Sequence, residues 1–253
     1  MIKPGIRRKR SAAPLHPKKG APADVPVAVP VGPLPFDILF QNNQVVVINK
    51  PAGLAVHPGP RGGPNVEEWF PLLSRRKDGP WLAHRLDADT AGCLAIALRK
   101  QALIAMQACF ASGTVRKIYW AIVHGVAPEH GIMEQAIARV SGPAGWKMVV
   151  TPDGQPAKTT WRRLGTDGSV SWLELTLHTG RTHQARVHCA EMGMPVVGDP
   201  VYGIEKKANR LQLLSRELDI PLAVPVSAIA PPPEHMWKTL TRCGWSSLPD
   251  ISS

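Results

Sequence analysis

Long apolar runs are missing from this chain. Nothing in it approaches the roughly 18 to 20 consecutive residues that would span a bilayer, and stretches such as Leu94–Leu98 are barely strand-length. Cysteine is scarce and scattered: Cys93, Cys109, Cys189 and Cys243 form no C-x-x-C pair and no short disulfide framework. That usage fits a reduced, cytoplasmic compartment, with the thiols serving as small core residues. No G-x-G-x-x-G, P-loop or H-E-x-x-H pattern occurs, so nucleotide cofactors and a zinc pair lack support. His183 and His188 stand five apart, the wrong spacing for two ligands on one helix face. With 253 residues, 44% of them hydrophobic, the chain is neither disordered nor membrane-embedded, and has length for one large domain or two small ones.

Acid is also missing where base is dense. The first 20 residues hold seven of the 30 Lys and Arg and no Asp or Glu, so most of the +11 charge sits there. Eight of the 26 prolines fall within residues 1–35, a density that defeats helical or strand periodicity. This segment is expected to be a disordered, Pro-rich arm whose charge suits a polyanionic partner. Residues 36–253 are expected to form the folded domain.

Within that part, Val45–Asn49 is a β-branched run and predicts a buried strand. Cys93–Leu98, Lys117–Val123, Lys147–Thr151, Thr159–Leu164 and Val170–Leu177 predict further strands. Lys100–Ser112 reads as a helix stopped by Gly113. Thr182–Met192 reads as another, with Thr182 at its N-cap and Gly193 at its C-cap. Strands following strands without intervening helices predict an α+β fold with a mainly antiparallel sheet.

Two segments concentrate chemistry. His84–Gly92 holds Arg85, Asp87, Asp89 and Thr90 in a turn ended by glycine. Asp87 and Asp89 together admit a carboxylate pair of the kind used on glycosidic bonds, since residues two apart on a strand share a face at about 6–7 Å. Gly180–His188 places Arg181, His183, Gln184, Arg186 and His188 at the front of a short helix, where backbone N–H groups and the helix dipole favour an anion.

Taken together, the motifs resemble the RluA family of RNA pseudouridine synthases. Its H-R-L-D-x-x-T-S-G is matched by His84–Gly92, with Ala91 in place of Ser. Asn49–Pro58 matches N-K-P-x-G-x-x-V-H-P, and Lys117, Tyr119 and Ala121 match K-x-Y-x-A. Gly180–His188 matches G-R-x-H-Q-[IL]-R-x-H with Ala185 at the branched position, and Gly193–Gly203 matches G-x-P-[IV]-x-G-D-x-x-Y-G. The family's L-x-L-H-A appears as Leu211–Ser215 without its His, and a preceding S4 domain is not recognisable, the basic arm standing in its place.

The resemblance implies an α+β pseudouridine synthase fold: a central mixed, mainly antiparallel sheet flanked by helices and loops, with a cleft across it. It implies isomerisation of uridine in ribosomal or transfer RNA, without cofactor or metal, by a cytoplasmic monomer with no membrane contact. Asp87 would act on the nucleotide. Arg186 would face Asp87 and fix its orientation. Tyr119 would lie against the flipped uracil, either packing on it or taking the C5 proton; its unperturbed pKa near 10 means that a base role needs help. Arg85 would fill the gap left in the RNA stack or hold a phosphate. His84, Thr90, Arg181, His183 and Gln184 are expected to contact substrate. The rivals are a silent RNA-binding module of the same fold and a hydrolase built on Asp87 and Asp89.

Overall fold

Twelve strands among the described residues build one ten-stranded sheet and a separate hairpin. The computed structural model describes residues 33–59, 62–143, 145–204 and 210–246; the basic arm lies outside them up to residue 32. The strands are β1 (Ile38–Gln41), β2 (Val45–Lys50), β3 (Trp81–Leu82), β4 (Ala91–Ala97), β5 (Arg116–His124), β6 (His130–Met133), β7 (Ile137–Gly142), β8 (Gly145–Val150), β9 (Thr159–Thr166), β10 (Val170–Leu177), β11 (Leu213–Ile220) and β12 (Val226–Ile229). The helices are α1 (Phe70–Leu73), preceded by a 3-10 turn at Val66–Trp69, then α2 (Lys100–Ser112), α3 (Gln184–Glu191) and α4 (Glu234–Arg242).

The large sheet runs β1-β2-β4-β11-β5-β10-β9-β6, with β3 paired to β4 and β12 to β11. Every pairing is antiparallel except β4 with β11, which is parallel through Leu214–Ala91 and Ser215–Gly92. Gly92 makes that contact possible. Its φ is +107°, and a Cβ there would stand 2.2 Å from the Ser215 carbonyl oxygen. The expected mixed, mainly antiparallel sheet is therefore present.

β4 is buried at all seven positions because both faces of the sheet are covered. On one face Val45, Val47, Cys93 and Ala95 pack under Ala102 and Met106 of α2 and Met236 and Leu240 of α4. The other face carries two separate patches. Val46, Ile48, Leu94 and Ile96 pack on Val66 and Leu86, whereas Ala121, Leu173 and Leu175 pack on Ala185 and Cys189 of α3. Tyr119 lies against both patches, at the seam between them. All four cysteines are unpaired, and three are buried. No helix among the described residues is long and apolar enough to cross a membrane.

Val170–Leu177 and Lys100–Ser112 match the sequence reading residue for residue. The helix expected at Thr182–Met192 starts later, at Gln184, and Thr182 is not its cap. His183 takes the cap position instead, with φ +54°. The Gln184 side chain causes this: its Oε1 accepts from the Arg181 N–H at 3.1 Å and the Thr179 hydroxyl at 2.6 Å, curling residues 180–183 into a turn.

Candidate active site

Asp87 sits in the connection between β3 and β4, fixed from two directions. Its carbonyl accepts from the Thr90 N–H at 3.1 Å. The neighbouring Ala88 carbonyl accepts from the Gly53 N–H at 2.9 Å and from Lys50 Nζ at 2.8 Å. Lys50 is fully buried and also donates to the carbonyls of Pro51 and Leu54. Burial lowers its pKa to about 8, opposed by Asp89 and Asp87. Residues 50–54 and the Asp87 loop are thus one hydrogen-bonded unit.

Arg186 projects from α3 to the same point and is 4% exposed. Its Nη1 donates to Asp87 Oδ2 at 3.0 Å, as the resemblance implied. Its two-pronged contact, however, is with Asp199, a residue given no role above: Nε to Oδ2 at 2.7 Å and Nη2 to Oδ1 at 2.8 Å. Asp199 Oδ1 also accepts the N–H groups of Val201 and Tyr202. Burial opposes the charge on Asp199, but Arg186 and these N–H donors outweigh it and hold the carboxyl below its usual range. Burial likewise opposes the charge on Arg186, yet Asp199 and Asp87 raise its pKa further. The arginine is a clamp, two prongs on a structural carboxylate and one on Asp87.

His183 completes this side. Its Nε2 is 3.7 Å from Asp87 Oδ2, and its Nδ1 is 3.0 Å from the Tyr202 hydroxyl, which accepts from the Met148 N–H. Burial and Arg186 lower the His183 pKa against the pull of Asp87. Trp146 of β8 stacks on the ring at 5.3 Å, and the Arg139 guanidinium covers Trp146 at 4.6 Å. The chain has only two tyrosines, and both serve this site. Asp199 and Tyr202 were legible as fixed positions of the Gly193–Gly203 motif, and Lys50 as one of the Asn49–Pro58 motif. Trp146 carried no signal in the sequence.

Tyr119 on β5 lines the cavity that holds Asp87, with Arg85, Thr90, Arg181, His183 and Gln184 on its walls. Burial pushes the phenol up to about 12, which Ser215 opposes and the Asp87 charge reinforces. Its surroundings therefore work against a resting phenolate.

Other expected residues fall differently. Gln184 spends its amide on Lys158 O and Thr159 Oγ1, at 3.0 Å each, so it builds the wall and caps the turn. His84 stacks on Phe110 and accepts from the Ala95 N–H at 2.9 Å; burial lowers its pKa to about 3. It lines an adjoining groove rather than the Asp87 cavity. His188 is 1% exposed and bonds Thr159 and the Gln135 carbonyl, so of the two arginines and two histidines expected at the helix front it alone turns away, while Arg181, His183 and Arg186 line the Asp87 cavity. Asp89 opens into a different cavity, beside Gly198 and Arg210. The two carboxylates do not converge, which removes the geometric basis for a hydrolase pair.

Comparison with known proteins gives the same picture. Residues 44–191 match the family model described as RNA pseudouridylate synthase. An RNA pseudouridine synthase of Synechocystis is 39% identical over 239 residues, 87% of this chain and 72% of that one. The ribosomal large subunit pseudouridine synthase D of Zymomonas mobilis is 35% identical over 72% of this chain, which spans 60% of that protein. Among solved structures, human RNA pseudouridylate synthase domain containing 4 superposes with a TM-score of 0.69 at 27% identity, over 81% of this chain and 92% of that one. A carboxylate clamped by arginine beside a buried tyrosine, in a chain so matched, has one assignment: this protein belongs to the RNA pseudouridine synthase family, isomerases that convert uridine in RNA to pseudouridine.

Proposed function

We propose that the substrate is large-subunit ribosomal RNA and that Asp87 is the residue that acts on the target uridine. The observation that carries this is the 3.0 Å contact of Asp87 with Arg186 in a cavity walled by Tyr119. The relative named for ribosomal large subunit activity supports the choice of RNA.

The reaction breaks the N1–C1′ bond, turns the base, and forms C5–C1′, with the C5 proton lost and N1 protonated. Attack on the sugar, removal of a ribose proton, or addition to the base each needs an ionised, oriented carboxylate. Arg186 supplies the orientation and Asp199 holds Arg186. Tyr119 packs on the uracil as a neutral phenol. Arg85, an exposed residue of the cavity wall, contacts the RNA there. The basic arm of residues 1–35 adds phosphate contacts that raise affinity without touching the chemical step. The unpaired cysteines support a reducing, cytoplasmic compartment.

The test follows from the proton lost at C5. Transcripts of large-subunit rRNA and of tRNA carrying tritium at uridine C5 are incubated with the protein, and tritium released to water is counted. Release from rRNA is expected. Release from tRNA alone would reassign the substrate, and release from neither would leave a silent RNA-binding module.

A further inference from the structure

Lys117 belongs to the K-x-Y-x-A motif, yet nothing in the chemistry so far uses it. It lies on β5 two residues before Tyr119, on the same face of the strand, and is 8% exposed. Among the described residues its ammonium has neither a hydrogen-bond acceptor nor a carboxylate partner; burial alone acts on its pKa, downward. Burying an unpaired cation is costly, because water's solvation is lost and nothing replaces it.

The charge faces a groove lined by His84, Arg85, Phe110, Lys117, His178 and Arg181, with no acid on its walls among the described residues. Its two histidines do not supply an anion. His84 already accepts from a backbone N–H, and His178 Nε2 is 3.0 Å from the Thr160 hydroxyl. The groove adjoins the Asp87 cavity and shares Arg85, Tyr119, Leu177, Gly180 and Arg181 with it. Arg85 likewise has no partner among the described residues. Arg181 spends only its Nε, on the Pro156 carbonyl at 3.1 Å. Three cations therefore converge on a wall next to the place where the uracil would sit.

We propose that this groove is an anion subsite in which Lys117, backed by Arg85 and Arg181, holds an RNA phosphodiester adjoining the target uridine. The proposal rests on the reading above that the uridine enters the Asp87 cavity. A lysine suits the task as a point charge that follows a phosphate through small changes of pose. Because the contact exists before and during the chemical step, it strengthens binding without raising the saturated rate.

The experiment compares wild type with Lys117→Met and Lys117→Arg. Affinity for an unmodified large-subunit rRNA transcript is measured against salt, with single-turnover pseudouridine formation and RNA-free melting alongside. The Met variant is expected to melt at or above the wild-type temperature, since an unpaired buried charge is gone. It should bind about 10-fold more weakly at low salt, the scale of a charge-assisted hydrogen bond. Its log–log salt slope should be shallower by about 0.7, one single-strand phosphate contact. The saturated rate should stay within a few-fold, and Arg should restore the slope. A Met variant with the wild-type slope, or one that melts lower and so shows Lys117 to be structural, overturns the subsite. Wild type that makes no pseudouridine in the transcript refutes the functional reading instead, while the slope comparison still decides the subsite.

Discussion

Two arginines in this molecule each sit between two carboxylates, with opposite consequences. Arg186 lies between Asp87 and Asp199 at 4% exposure, while Arg116 lies between Glu217 and Asp219 at 55%. The distances are alike: 3.0 and 2.7 Å in the buried cluster, 2.7 and 2.9 Å at the surface. Arg186 uses three nitrogens and Arg116 only Nη1. Water screens the surface cluster and competes for each group, so its net contribution is small. In the interior cluster Arg186 and Asp199 cannot be solvated if their contacts break, so both are held where they are. Proximity of opposite charges does not make a site; desolvation and a fixed fork do.

The largest expected effect tests the carboxylate that faces the cavity. Asp87→Asn should lower pseudouridine formation by at least about 10³-fold, since an amide can act neither as nucleophile nor as base. RNA affinity and melting should stay near wild type. Turnover within tenfold would remove Asp87 from the chemistry.

Next is the clamp. Arg186→Ala strands two carboxylates, and equilibrium unfolding should show a loss of about 3–5 kcal/mol. Lys should recover only part of it, because the two-pronged contact with Asp199 needs a planar fork. Full recovery by Lys would reduce the cluster to simple charge pairing, like that of Arg116.

Asp199→Asn separates structure from cavity chemistry. It keeps the shape and loses the charge, so stability at neutral pH should fall by about 1–3 kcal/mol and turnover should fall with RNA affinity unchanged. The folded-state pKa of Asp199 lies below its unfolded value near 3.9. Its contribution is therefore complete above about pH 4 and is lost as pH falls through the folded value. Acid unfolding should be steeper for wild type than for Asn; equal slopes would mean that Asp199 is not held ionised by Arg186.

Tyr119→Phe should keep activity within about 10-fold. With the phenol pushed up to about 12, almost none is ionised at neutral pH, and the ring is what Phe retains. A 100-fold loss would restore the hydroxyl to proton transfer.

The smallest effect is expected at the surface. Arg116→Ala should shift stability by no more than about 0.5 kcal/mol and leave turnover unchanged. A loss near that of Arg186→Ala would break the contrast between the two clusters.

Much of the fold was legible locally. Leu173–Leu177 alternates at strand period, and Lys100–Ser112 ends at a glycine with φ +72°. β11 was not legible: Leu213–Ile220 reads LLSRELDI, and its central place depends on pairing with β4, 122 residues earlier at Cys93, and with β5. α4 follows three prolines and becomes a core helix only because Met236 and Leu240 meet the sheet.

The sequence by itself determined where the candidate site residues stand, because motif spacing is a local property: Asp87 in its turn, Tyr119 on its strand, Arg186 on its helix. It also set the strand-rich architecture through period and composition. Only the tertiary structure decided who pairs with whom. Asp199 outranks Asp87 for the guanidinium fork, Gln184 and His188 turn inward, Asp89 opens away from Asp87, and Lys117 is left without a partner among the described residues. Those outcomes depend on distance and burial between segments up to about a hundred residues apart, and burial sets the strength of every charge in the site.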